Sequence, residues 1–131
     1  PASVEELEGF RVAGNAWVAA DGSDRPIAYL LSRLVDGRAH IEQVSVTPTH
    51  AGRGLGAALI DHLAETSRAS NIPDLTLTTF RDVPWNAPYY LRLGFQILEP
   101  GDQGPELRAL VEHEAASIPG DAPRVAMRRR T

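Results

Sequence analysis

Cysteine is absent from this chain of 131 residues. No disulfide frame, thiolate nucleophile or zinc–thiolate site can therefore be built, and a reducing, cytoplasmic setting fits. No stretch approaches the ~18 consecutive apolar residues that a membrane span needs, so a membrane partner is not expected. No charged start followed by an apolar core and a small-residue cleavage site appears either. Basic charge is also scarce, with a formal net charge of −4. A general nucleic-acid binder would carry a basic face, so that class is set aside. The one basic run, Arg128-Arg129-Arg130, reads as a solvated end. His50, His62 and His113 have no ligand spacing with an acid cluster, so no metal is expected.

What remains is ordinary for a globular protein: 43% hydrophobic and 23% charged residues. The length suits one domain over 1–131, large enough to bury a core without staples. The chain begins with Pro1 rather than Met, which suggests residues trimmed from its front. Ser3 and Glu6 form a capping-box pattern for a short helix near 3–8. Strands are expected over Asn15–Ala20, Ile27–Leu34 and His40–Thr47. The turn cluster 21–26 and the hairpin signal Asp36-Gly37 separate them, as in an antiparallel meander.

Pro48 ends the third strand, because it lacks a backbone donor. The turn Gly52-Arg53-Gly54-Leu55-Gly56 follows. Leu55, Leu59, Leu63 and Thr66 then recur at helical spacing over Gly54–Arg68. After Asn71-Ile72-Pro73 comes a β-rich strand, Leu75–Phe80. Strand, helix, strand at this spacing predicts a crossover between parallel strands. A short helix over Ala87–Leu93 ends at Gly94, which tolerates positive φ. A strand over Phe95–Leu98, a helix over Pro105–Ser117 opened by its proline, and a strand over Val125–Arg128 complete a mixed α/β domain.

The glycine turn carries the chemistry. A helix N-terminus leaves backbone N–H groups without partners and bears partial positive charge. Glycines let a ligand approach the backbone closely, and together these features make a phosphate site, with Arg53 adding a mobile charge. The bland reading is a tight turn, but glycines at alternate positions exceed what a turn requires. A Walker loop is excluded, because Gly56 is followed by Ala57-Ala58 rather than Lys and Ser or Thr. Gly52-x-Gly54-x-x-Ala57 meets a loose dinucleotide fingerprint, but three strands precede it and no acid ends the next strand.

The segment from Ile41-Glu42-Gln43-Val44-Ser45-Val46 through Gly52-Arg53-Gly54-Leu55-Gly56-Ala57 to Ile60 resembles the cofactor motif of the GCN5-related N-acetyltransferase (GNAT) superfamily. Asn86-Ala87-Pro88-Tyr89-Tyr90-Leu91-Arg92-Leu93-Gly94-Phe95 is similar to that family's second motif, a helix ending in Tyr-x-x-x-Gly-Phe. The resemblance covers about 27 to 128. Ala51 stands where the family pattern has Gln or Arg, and of the strand and two helices with which the family usually opens, this chain has room for only one short helix.

The resemblance implies a mostly antiparallel sheet with a central parallel strand pair splayed to admit CoA. It implies acetyl-CoA as co-substrate and a primary amine, small-molecule or peptide, attacking it directly in a ternary complex. Gly52, Arg53, Gly54, Leu55, Gly56 and Ala57 would bind the diphosphate, and the Val46 N–H would face the thioester oxygen. Tyr90 would protonate the leaving thiolate, and Glu42, or less favourably His40 two residues away, would act as base. Asn86 would contact the CoA arm or cap its helix. Tyr89 is expected in the core, and Trp85, Phe80 and Tyr29 are candidates for an acceptor pocket. Homodimers are common in the family. The alternative is a non-catalytic acyl-CoA-binding sensor or interaction module on the same fold.

Overall fold

The structure is a computed structural model, described here for residues 9–13, 16–23, 25–50, 54–84, 86–117 and 123–131. The helix expected near 3–8 lies outside them. The chain divides into two compact units: Pro1–Arg33 with Ile41–Asn71, and Leu34–His40 with Ile72–Thr131.

The first unit opens with β1 (Gly9–Ala13), a strand that the sequence reading did not anticipate. It pairs antiparallel with β2 (Ala16–Ala20), which pairs with β3 (Pro26–Val35) through a bulge at Ala19/Ala20. The 21–26 cluster turns as expected, with the Asp21 carboxylate accepting from the Ser23 and Arg25 N–H groups at 2.8 and 2.9 Å. Most of β4 (Arg38–Val46) also belongs here, followed by a one-turn 3-10 helix at Pro48–His50. Helix α1 (Leu55–Ala69) buries Leu55, Gly56, Leu59, Ile60, Leu63, Ala64 and Ser67. Thr66, counted in the apolar stripe, is exposed, and Ser67 takes the inward place, since both fit a 3.6-residue period. Trp17 of β2 stands edge-on to His62 of α1 at 5.3 Å, and its indole N–H donates to Ser32 at 3.2 Å. Buried indole and buried hydroxyl thus satisfy each other while β2 and α1 pack.

The second unit holds the start of β4 beside β5 (Asp74–Phe80), with parallel pairing at Ala39↔Leu75 and His40↔Thr76. It adds α2 (Ala87–Arg92), β6 (Gln96–Leu98), α3 (Pro105–Ser117) and β7 (Arg124–Arg130). The strand order is β4-β5-β7-β6 here and β1-β2-β3-β4 in the first unit. The fold is therefore mixed α/β, mostly antiparallel with one parallel pair, as expected. Arg128-Arg129-Arg130 is not a solvated end. All three residues lie in β7, paired with β5 from Asp74↔Arg130 onward. Arginine tolerates such a place because its long stem is apolar and only its head needs water.

Between β3 and β4, Asp36 and Gly37 have φ of 54° and 75°, the left-handed pair of a tight hairpin turn. Asp36 also reaches α3. Its carboxylate accepts from the Glu106 and Leu107 N–H groups at 3.0 and 2.9 Å, while its own N–H donates to the Glu106 carboxylate. The Arg108 N–H bonds Gly104 at 2.9 Å, and Pro105 has no N–H, so the first turn of α3 is fully partnered. A Cβ at Gly104 would run into the Asp36 carboxylate. Below this cap, Val35, Leu98, Leu107 and Ala126 form a core cluster, with Leu110 and Val111 packed on it.

Candidate active site

In the first unit the candidate residues follow one another along the end of β4 and the start of α1. Val46, half-buried, is the last residue of β4. The next N–H, that of Thr47, is held by the Ile27 carbonyl at 2.9 Å. His50 Nδ1 lies 2.9 Å from the Thr47 hydroxyl and 3.1 Å from that of Thr49, which ties the 3-10 turn together. Ala51, Gly52 and Arg53 lie outside the described residues. Gly54 takes φ 75° and ψ 16° at the N-cap of α1. A Cβ there would meet nothing within 4 Å, so left-handed backbone, not crowding, calls for glycine. No side chain caps this helix, and no acidic residue lies in its first turn. The Ala58 N–H donates to Gly54 O at 3.0 Å. Leu55 and Gly56 are buried and Ala57 is half-buried. The helix start is thus seated on the core through Leu55 and Gly56.

Glu42 is exposed, its side chain 45% accessible, and its carboxylate sits 3.3 Å from Arg33 Nε. Such a surface pair contributes little to stability. Along β4, Ala39, His40 and Ile41 are buried in succession and Glu42 and Gln43 are exposed. His40 belongs to the second unit, where its Nδ1 lies 2.8 Å from the Thr76 hydroxyl. Tyr29 is half-buried, and its hydroxyl accepts from Gln43 at 2.9 Å.

In the second unit the Tyr-x-x-x-Gly-Phe motif proves to be one device. Helix α2 ends with the Phe95 N–H on Tyr90 O and the Gly94 N–H on Leu91 O, both at 3.1 Å. Gly94 has φ 94°. This is a Schellman ending, which requires a left-handed residue where Gly94 stands and brings together the apolar side chains on either side of it. Those side chains are Tyr90 and Phe95, edge to face at 5.7 Å. Tyr89 packs edge-on to Tyr90 at 5.2 Å, with the Arg92 guanidinium 5.8 Å from its ring centre. Burial of the Tyr90 phenol, then its neighbour Tyr89, push its pKa above the ordinary value of 10.0. It is therefore a neutral O–H donor at physiological pH. Asn86 occupies the N-cap of α2, but its side chain makes no capping hydrogen bond. Its backbone carbonyl accepts from Tyr90 N–H at 3.0 Å instead. Trp85 lies outside the described residues.

One cluster was missed in the sequence. Arg124 spreads over the Phe80 ring at 4.7 Å and donates to the Thr78 hydroxyl at 3.2 Å. Thr78 in turn donates to Glu114 at 2.6 Å, and Arg124 Nε faces the same carboxylate at 3.3 Å without hydrogen-bond alignment. Three elements meet here, so no local pattern could have announced it. Among the described residues there is no group of three or more His, Asp or Glu able to hold a metal, and no helix long and apolar enough to cross a membrane.

The sequence model of the Acetyltransferase (GNAT) family matches residues 2–95, more than half of the chain. The chain belongs to the GNAT acetyltransferase family. It is 42% identical over 65 residues to glucosamine 6-phosphate N-acetyltransferase of Trypanosoma brucei brucei, covering 48% of this chain and 42% of that protein. The match thus spans under half the length of that curated relative. A Bacillus anthracis str. Ames protein assigned as a streptothricin acetyltransferase, solved with acetyl coenzyme A, superposes with a TM-score of 0.69. Its identity is 16%, over 88% of this chain and 61% of that one. N-acetylglutamate synthase from Neisseria gonorrhoeae, solved with coenzyme A and N-acetyl-glutamate, gives a TM-score of 0.69. Its identity is 15%, over 97% of this chain and 30% of that one. At these identities the likeness shows the fold.

Proposed function

We propose that this chain is an acetyl-CoA-dependent N-acetyltransferase, one catalytic domain acting on a primary amine of a small molecule or peptide. The observation that carries this reading is the start of α1. Gly54 is left-handed, no side chain caps the helix, no acid lies in its first turn, and the space beside Gly54 is open. A doubly charged diphosphate suits such a helix end. The cofactor would supply an acetyl group activated as a thioester. Backbone N–H groups over 52–57, with the Arg53 side chain, would hold its diphosphate, and Asn86, whose amide is not engaged in capping, would hold its arm. The parallel strands β4 and β5 would splay to admit it.

Chemistry then needs a donor, a base and an acid. The Val46 N–H would donate to the thioester oxygen as negative charge develops there. Glu42, a hydrated carboxylate, would take the proton that the attacking ammonium must lose, through water. Tyr90 would return a proton to the leaving thiolate, in keeping with the raised pKa that keeps its phenol protonated. Two protons leave the nitrogen: one from the ammonium to Glu42 and on to solvent, and one from the tetrahedral adduct, which makes up for the proton that Tyr90 gives the thiolate. The step so balances with one net proton released and without a covalent enzyme intermediate.

The test is release of CoA thiol across a panel of primary amines. Release is expected with at least one amine. Tyr90→Phe should lower turnover by roughly 100-fold while leaving acetyl-CoA affinity nearly intact; unchanged turnover removes Tyr90 from the acid role. Glu42→Gln should abolish the acidic limb of the pH–rate profile, and a preserved limb removes Glu42. Acetyl-CoA binding with no release from any amine would make the chain a sensor instead.

A further inference from the structure

Along β3, Tyr29, Leu31 and Arg33 share one face, because side chains alternate along a strand. Leu30 and Ser32 point the other way and are buried. Ser32 holds the Trp17 indole, which stands against His62 of α1. The row Tyr29, Leu31, Arg33 is therefore the face turned away from α1. Tyr29 and Leu31 are half-buried, and Arg33 is exposed. From β4, Glu42 meets Arg33 at 3.3 Å, and Gln43 donates to the Tyr29 hydroxyl at 2.9 Å. Four polar side chains from two neighbouring strands thus stand together beside the carboxylate read above as the base.

Glu42 and Arg33 are a pair of opposite charges that cancel. A plain ammonium that approaches the Glu42 carboxylate also meets the Arg33 guanidinium, and like charge opposes like. An amine that carries an anion close to its nitrogen meets each of the two charges with the opposite sign. Arg33 is placed to take that anion. Its side chain is 42% accessible, and Glu42 is its one ion-pair partner among the described residues. A surface pair of this kind is weak, so a ligand can share it. The guanidinium presents its N–H donors in a planar fork, which fits two carboxylate or phosphate oxygens at once. Tyr29 adds a neutral donor: its oxygen accepts from Gln43, which leaves its own proton to give.

We propose that Arg33 determines acceptor specificity, and that the acceptor is an amine with a carboxylate or phosphate on the same carbon as its nitrogen or on the next. The inference rests on acetyl transfer with Glu42 as base and names the substrate class for it. The ammonium faces Glu42 while the anion takes the Arg33 fork. The experiment measures CoA thiol release for matched amines: α-amino acids against their amides, and O-phosphoethanolamine against ethanolamine. The anionic member of the productive pair should have the higher kcat/KM, by roughly tenfold or more, as a charge-assisted contact predicts. Which pair is productive tells carboxylate from phosphate. R33Q should raise KM for the anionic member roughly tenfold with kcat little changed, the mark of lost ground-state binding, and should leave KM for the neutral member alone. R33K, a point charge without the fork, should recover part of the loss. Should R33Q melt below the parent, R33K at the parent's melting temperature gives the same KM reading with a smaller rise. An equal change in KM for both members of a pair, or a parent that prefers the neutral members, would overturn the role of Arg33 and leave acetyl transfer standing. Release from no amine would remove acetyl transfer and this inference together.

Discussion

Helices α1 and α3 are of similar length, fifteen and thirteen residues, yet their first turns are finished in opposite ways. At α3 the Asp36 carboxylate, brought in from the hairpin between β3 and β4, takes two N–H groups, and Pro105 removes a third. At α1 the N-cap is Gly54, with no side chain to offer and no acid in the first turn. Capping by an Asp is worth about 0.5–2 kcal/mol over a side chain that cannot cap. The molecule takes that stabilisation where the helix only has to stay folded. It leaves it out where, on our reading, an anion arrives. An uncapped helix start is informative mainly because a capped one stands in the same chain.

The largest effect should come from making α1 resemble α3. Gly54→Asp would place a carboxylate at the N-cap, a position Asp tolerates in left-handed backbone better than most residues. Acetyl-CoA affinity should fall by roughly 100-fold or more, from lost donors and added repulsion, with the fold retained. Calorimetry checks this, and unchanged affinity would break the comparison at its functional end. A middle-sized effect should come from making α3 resemble α1. Asp36→Ala should cost about 1–2 kcal/mol of stability in urea melts and leave acetyl-CoA affinity alone; a variant as stable as the parent would show that the cap is ornamental.

The smallest effect is one of pH. Burial tends to raise the Asp36 pKa, but the Leu107 and Glu106 N–H groups, with Arg38, outweigh it and hold it below the usual 3.8. A lowered folded-state pKa means stability present above the ordinary value and lost as pH falls through the lowered one. Acid titration of stability below pH ~4 should therefore be steeper in the parent than in Asp36→Ala. Parallel curves would assign the acid limb to other carboxylates.

Much of the fold was legible because its signals are local. Asp36-Gly37, Gly94 and Pro105 each fix a backbone angle or remove a donor, and each marks the boundary expected of it. The Tyr90-to-Phe95 motif was legible for the same reason, since one helix ending contains it. What escaped depends on partners distant in sequence. Strand β1 is five residues long and is defined by its pairing with β2. Asp36 reads as a turn residue, and its second task lies 70 residues away. Arg128-Arg129-Arg130 reads as a solvated run until β5 supplies its ladder. His40 and Glu42 were grouped by their spacing, and that one is buried and the other exposed depends on what packs against β4, which spacing does not tell.

The ending of α2 bears on how this protein could be altered. Tyr90, Gly94 and Phe95 are bound into one closure by a carbonyl, a left-handed angle and a ring contact. They behave as a single heritable letter spelled with three residues. An engineer who wished to move the phenol by one position would have to shift the glycine and the phenylalanine with it. A library that varied Tyr90 alone would sample the chemistry of that position, whereas one that varied Gly94 alone would mostly sample broken helix ends.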